Sequence, residues 1–186
     1  MGVSWDGQFD LSFIWAGVND IVFNVDWSAP LNDDSVKRSW SELIMDLSGF
    51  YGPMLEDVLA ISRKVVTVPP LFVGEETNNI FNKVLEVMAV SIERLTGQYE
   101  NAEYLDLRSV VKSELEGKDS PASTEATINE DSEDKSAPSR PIAGNALWQG
   151  KLHYTIDGVH LNDAGARLVA EVFLERIKSI SKELDQ

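Results

Sequence analysis

The sequence predicts an α/β fold: a parallel sheet covered by helices on both faces. Two observations carry this. Short apolar runs rich in β-branched and aromatic residues alternate along the chain with longer segments whose apolar residues recur at helical spacing. Strand, helix and strand in that order imply right-handed βαβ units, whose crossover helices bury a parallel sheet. The 186 residues suit one domain, and at 43% hydrophobic they can bury a proper core.

Leu11-Ser12-Phe13-Ile14-Trp15 reads as the first strand, ending at Gly17. Asp33 or Asp34 is expected to cap the next helix, whose apolar positions are Val36, Trp40, Leu43, Ile44 and Leu47. The stretch from Gly49 to Pro53 breaks the pattern. Pro53 then suits the first position of a second helix carrying Leu55, Val58, Leu59 and Ile61. Lys64-Val65-Val66-Thr67-Val68 is the second strand, stopped by Pro69-Pro70.

Thr77 or Asn78 opens the next helix, with Ile80, Phe81, Val84, Leu85, Met88, Ile92 and Leu95 on its buried face and Gly97 as its C-cap. Glu103 to Leu107 is the third strand. From Ser113 to about Pro141 the chain is rich in Ser, Glu, Asp, Pro and Ala. Such a segment buries too little apolar surface to offset its ordering entropy, so a mobile acidic loop is expected there. A last helix is expected from Asn162 to Lys182, with Ala164, Leu168, Val169, Val172, Phe173, Ile177 and Ile180 facing the core.

The formal charge is −15, from 31 acidic and 16 basic residues. An acidic surface of this kind repels phosphate backbones and argues against nucleic-acid binding. No apolar run approaches the ~20 residues of a membrane helix. No signal peptide is visible; the compartment is left open, with the cytoplasm favoured. The chain has no cysteine, which excludes disulfides, zinc-thiolate sites and a thiol nucleophile. Its two histidines and scattered carboxylates show no metal-ligand spacing, and His153 is assigned no role.

In parallel sheets, chemistry sits in loops after the carboxyl ends of strands. After the first strand the chain reads Trp15-Ala16-Gly17-Val18-Asn19-Asp20. Gly17 permits a tight turn, and Asn19 would then aim its amide from the rim, where it can donate to a developing oxyanion. The same residues also suit a plain turn with an Asx hydrogen bond. Near the C-terminus stands Asp157-Gly158-Val159-His160-Leu161-Asn162-Asp163, just before a helix. A short turn there can join carboxylate and imidazole, with Asp157 fixing the tautomer and His160 as general base. The plain alternative is two polar residues capping and turning.

Taken together, "FIWAGVNDI" and "DGVHLNDAGARLVAE" resemble the Gly-x-Asn-Asp and Asp-x-x-His blocks of the SGNH hydrolases, also called GDSL esterases and lipases. The resemblance covers most of the chain outside the acidic segment. It implies a three-layer α/β/α, flavodoxin-like sandwich with five parallel strands, and ester hydrolysis through an acyl-enzyme without a cofactor. It implies catalytic roles for Asn19 as oxyanion donor, His160 as base and Asp157 as its orienting partner, with Gly17 supporting the turn. The expected partner is a small ester substrate.

One block of that family has no counterpart. Its nucleophilic serine lies in a Gly-Asp-Ser block several dozen residues before the Gly-x-Asn-Asp block. Only sixteen residues precede Gly17 here. Ser4 stands too close to the first strand to form a strand-turn-helix elbow. Ser28 has no motif behind it, and Lys118-Asp119-Ser120 lies in the acidic segment with no strand before it.

The expectation is therefore one SGNH-like domain over residues 1–186, corresponding to the C-terminal portion of such a fold, as a fragment or a degenerate member. This chain alone is expected to be nearly inactive. Residues 11–15 would then form an exposed sheet edge open to self-association. The competing readings are a non-catalytic ligand-binding module on the same fold, and an interaction protein working through the acidic segment.

Overall fold

The computed structural model describes residues 9–24, 37–75, 77–118 and 152–184. Three parallel strands form the sheet among them: β1 (Phe9–Trp15), β2 (Ser62–Val68) and β3 (Ala102–Tyr104), in the order β1-β2-β3. Ile14 stands beside Thr67, and Val65 beside Ala102. Strand residues alternate between faces, and the two cores follow that alternation. Ile14 and Val65 pack under α1 (Val18–Val22), α2 (Trp40–Ile61) and α3 (Ile80–Thr96). Phe13, Val66 and Val68 pack under α4 (Leu107–Lys118) and α5 (Asp163–Leu184). The architecture is thus the expected three-layer α/β/α sandwich, with three strands among the described residues where the resemblance implied five.

Two polar residues of β2 are buried, Ser62 and, deeper, Thr67. Thr67 is fully buried, and its hydroxyl meets that of Thr96 at 2.7 Å, which in turn donates to the Ile92 carbonyl at 2.7 Å. A buried hydroxyl without a partner is costly; this pair satisfies itself and ties α3 to the central strand.

On α5, Ala164 and Ile177, expected to face the core, are exposed. Four expectations about the elements themselves need correction. The first is α2, which is one helix through Gly49 and Pro53 rather than two. The apolar spacing explains this: Leu43, Leu47, Tyr51 and Leu55 recur every four residues across the supposed break, and all four are buried. Proline removes one backbone hydrogen bond, toward the carbonyl four residues earlier. Here that residue is Gly49, which is exposed, as is Pro53, so water can meet the carbonyl. Asp33, Asp34 and Val36 lie outside the described residues. The cap is Ser39, whose side chain accepts from the Glu42 amide while Glu42 accepts from the Ser39 amide.

Second, α3 begins at Ile80 and is capped by Asn79 rather than opened at Thr77 or Asn78, with Asn79 accepting from the Asn82 amide at 2.9 Å. Gly97 is its C-cap, though in the right-handed conformation, with φ −64°. Third, β3 stops at Tyr104, and Leu107 opens α4 instead of ending a strand. Asp106 accepts from the Ser109 amide at 3.0 Å, which caps that helix. Fourth, Ser113 to Lys118 belong to α4 rather than to an acidic loop. Leu107, Val111 and Leu115, four residues apart, are all buried and hold it to the sheet. The remainder of the acidic segment, like Ser4, Ser28, Asp119 and Ser120, lies outside the described residues.

Among the described residues β1 is an edge strand, and Phe9 and Trp15 at its two ends are exposed. No helix among them is long and apolar enough to cross a membrane.

Candidate functional site

The strand carboxyl ends bring together three connections: the turn after β1, the loop from Pro69 to Glu75 after β2, and the loop before α5. Gly17 makes the first possible. Its φ of +114° is strained for any residue with a side chain, and an added Cβ would come within 3.1 Å of the Met88 methyl and 3.4 Å of Pro70. The chain turns there into α1. Asn19 is exposed in the first turn of α1, and among the described residues its side-chain amide has no hydrogen-bond partner. The Asx turn offered as the plain reading is not formed, since no side chain caps α1.

The loop before α5 is built as a tight reversal. Ile156 donates to the His160 carbonyl at 2.8 Å and Asn162 to the Tyr154 carbonyl at 3.0 Å, with Gly158 at φ +87° completing the turn. Asp157 organises it. One carboxylate oxygen accepts the amides of Val159 at 2.9 Å and His160 at 2.8 Å. The other lies 2.7 Å from Nδ1 of His160. A carboxylate accepts from Nδ1–H, which leaves Nε2 as the basic nitrogen. Nε2 has no partner among the described residues. Partial burial pushes the Asp157 carboxyl up, but the His160 amide, the His160 ring and the Val159 amide together outweigh this and hold it below its ordinary range.

Side chains far away in sequence hold this loop. Glu75, from the loop after β2, accepts the amides of His153 at 2.5 Å, Tyr154 at 2.6 Å and Thr155 at 2.8 Å, and the Thr155 hydroxyl at 2.9 Å. Asn162 donates to the His153 carbonyl at 3.0 Å and accepts from the Gly165 amide at 3.0 Å, starting α5. Gly165 admits the crossing chain, for a Cβ there would overlap the Tyr154 carbonyl. His153 contributes only its backbone. The sequence reading missed Glu75, Asn162 and Gly165 as site residues. Gly165 directly after "HLNDA" carried a local hint, a glycine in the first turn of a helix; Glu75 carried none.

Asn19 and His160 line one cavity of about 510 Å³, walled by Trp15, Val18, Pro70, Leu71 and Phe72. The Asp157–His160 pair thus comes to the same rim as the turn after β1. No hydroxyl side chain lines that cavity among the described residues. The arrangement offers a proton acceptor with a fixed tautomer, a free amide donor and an apolar surround.

The fold recurs among solved structures. Axe2, an acetylxylan esterase from Geobacillus stearothermophilus, aligns with a TM-score of 0.57 at 13% identity, over 90% of this chain and 59% of that enzyme. A variant of the same protein, described as an acetyl-xylooligosaccharide esterase, gives 0.57 at 14% identity with the same coverage. The chain spans about three fifths of the length of these neighbours. No protein-family model and no curated protein matches it.

Two predictions follow from the geometry of the loop. Glu75→Gln, which keeps the shape but removes the charge, should lower stability by about 2–3 kcal/mol. It should also accelerate hydrogen exchange at the amides of His153, Tyr154 and Thr155. Unchanged urea melts together with unchanged exchange would show that the clamp contributes nothing. Asp157 has a folded pKa below its unfolded one, so its contribution is complete above the unfolded pKa and is lost as pH falls through the folded pKa. Asp157→Asn should therefore be less stable than the parent at neutral pH, with the difference shrinking as acid protonates Asp157. Urea melts across the acid range measure it; a difference independent of pH would contradict the assignment.

Proposed function

We propose that the chain carries the acid, base and oxyanion elements of an SGNH-type carboxylic ester hydrolase. What supports this reading is the convergence of the His160–Asp157 pair and the Asn19 amide, unpartnered among the described residues, on one largely apolar cavity at the strand carboxyl ends. The likeness to Axe2 agrees with it at the level of fold. In this reading the residues 1–186 act as one domain.

The chemistry follows from the atoms. A serine hydroxyl attacks the ester carbonyl while Nε2 of His160 takes its proton, and Asp157 orients the ring and stabilises the imidazolium. The carbonyl oxygen becomes an oxyanion, to which the Asn19 amide donates. Collapse breaks the carbon–oxygen ester bond, and His160 returns the proton to the departing alcohol. Water, deprotonated by the same nitrogen, then cleaves the acyl-enzyme. The serine must come from outside the groups that line the cavity among the described residues. Neither metal nor organic cofactor enters these steps.

The edge of β1 belongs to the same proposal. A strand with an unpaired row of backbone groups and exposed Phe9 and Trp15 is a template for another strand. We infer that it is a surface for self-association.

Two outcomes are expected. The chain by itself should hydrolyse a short-chain chromogenic ester near background, since removing a nucleophile costs on the order of 10⁶ in turnover. Expressed together with any coding sequence preceding Met1 that supplies a serine block, it should turn the ester over, and His160→Ala should abolish that activity. Activity surviving His160→Ala would overturn the role given to the histidine. On size exclusion the chain should associate with rising concentration, and Phe9→Lys should weaken the association. A monomer at every concentration would remove the edge from the proposal.

A further inference from the structure

A second cavity lies on the same rim, beyond Phe72. It has a volume of about 390 Å³, within the roughly 300–1,000 Å³ typical of small-ligand pockets. Its walls come from the loop after β2, the carboxyl end of β3, and the facing sides of α3 and α4. In a parallel sheet, the crevice outside the strand carboxyl ends is where ligands bind. Phe72 lines both cavities and separates this one from His160 and Asn19.

The lining differs in kind from the apolar cleft. Lys83, Arg108 and Lys112 face the cavity together with Glu86, Glu93 and Asp106, so the formal charges cancel. Arg108 is the rigid part: 4% exposed, bonded to the Pro70 carbonyl at 3.0 Å and the Asn82 carbonyl at 3.3 Å, with its guanidinium carbon 4.3 Å over the centre of the Phe72 ring. Its Nε nevertheless has no partner among the described residues. Tyr104, half-buried in the wall, also offers a hydroxyl without a partner among them. Burial, with Asp106 and Glu93 nearby, pushes that phenol up, so it remains a proton donor at neutral pH.

These features exclude two ligand classes. Three carboxylates facing three cations leave no net positive charge to hold a phosphate or another multivalent anion. Charged and polar side chains make up most of the wall, so an acyl chain would find little apolar surface beyond Phe72, Ala89 and Val90. A ligand with hydroxyls, each both donor and acceptor, can pair with ammonium and carboxylate groups alike without bringing charge. We propose that this cavity binds a neutral polyhydroxylated ligand, of the saccharide or polyol class. The proposal goes beyond ester hydrolysis and does not depend on it.

Titration of the ¹⁵N-labelled chain with cellobiose, followed by amide shifts, tests the idea. Saturable shifts are expected at Ser109, Lys112 and Lys83. Tyr104→Phe, which keeps the ring, and Lys83→Ala, on an exposed helix position, should each weaken binding by roughly threefold to tenfold, on the order of one hydrogen bond. His160→Ala should leave binding unchanged, which separates this outcome from the fate of the hydrolase reading. Absence of shifts, shifts indifferent to both cavity variants, or saturation by inorganic phosphate in place of cellobiose would each overturn it.

Discussion

The geometry of the site depends on one carboxylate. Glu75 belongs to the loop after β2, yet it receives three consecutive amides and a hydroxyl from residues 153–155. Charge-assisted hydrogen bonds of this kind are shorter and stronger than neutral ones. They fasten a segment distant in sequence to the rim of the sheet. Without that fastening, Asp157 and His160 would still pair with each other, because their bond is local. Of the hydrogen bonds from the loop after β2, only that from the Gly74 amide to the Gly158 carbonyl would remain to hold the pair near Asn19.

The loop that carries Glu75 is itself held from both sides. Arg108 reaches from α4 to the carbonyls of Pro70 and Leu71. Asn82 of α3 accepts from the Val73 amide at 2.8 Å and donates to its carbonyl at 3.1 Å, and Asn79 donates to the same carbonyl at 2.7 Å. An irregular stretch this buried must have its backbone groups met by side chains, and here they come from helices on both faces of the sheet. Burying the Arg108 guanidinium lowers its proton affinity while Glu86 raises it. That cost is offset by bonds no shorter side chain could span. The same loop therefore walls the apolar cleft and the polar cavity, and Phe72 separates the two.

What could be read from the sequence was what is local. β1, β2 and α3 show as runs of apolar residues with the correct period, and the Gly17 turn and the Asp157–His160 pair are each made by residues only a few positions apart. What escaped depends on partners far along the chain. Pro53 reads as a helix boundary until Tyr51 and Leu55 are seen to bury against the same core as Leu43 and Leu47. The second half of α4, Ser113 to Lys118, reads as acidic loop because only Leu115 marks its inner face. Nothing around Glu75 distinguishes it from the other acidic residues, because its three amide partners lie nearly eighty positions away.

The pair at the rim is open to water: the His160 side chain is 64% exposed and that of Asp157 27%. In a high-dielectric setting a carboxylate beside an imidazole contributes little field. Its value there is geometric. Asp157 fixes the ring by its bond to Nδ1 and fixes itself by accepting two backbone amides, so both the tautomer and the direction of Nε2 are set before any ligand arrives. Electrostatic stabilisation of a developing charge, by contrast, grows as water is excluded. The described walls of the cleft are apolar on the side of Trp15, Val18, Leu71 and Phe72, so a bound acyl group would displace water from that side. In this site orientation is built into the fold, whereas a low dielectric around His160 and Asn19 would require a ligand that covers the cleft.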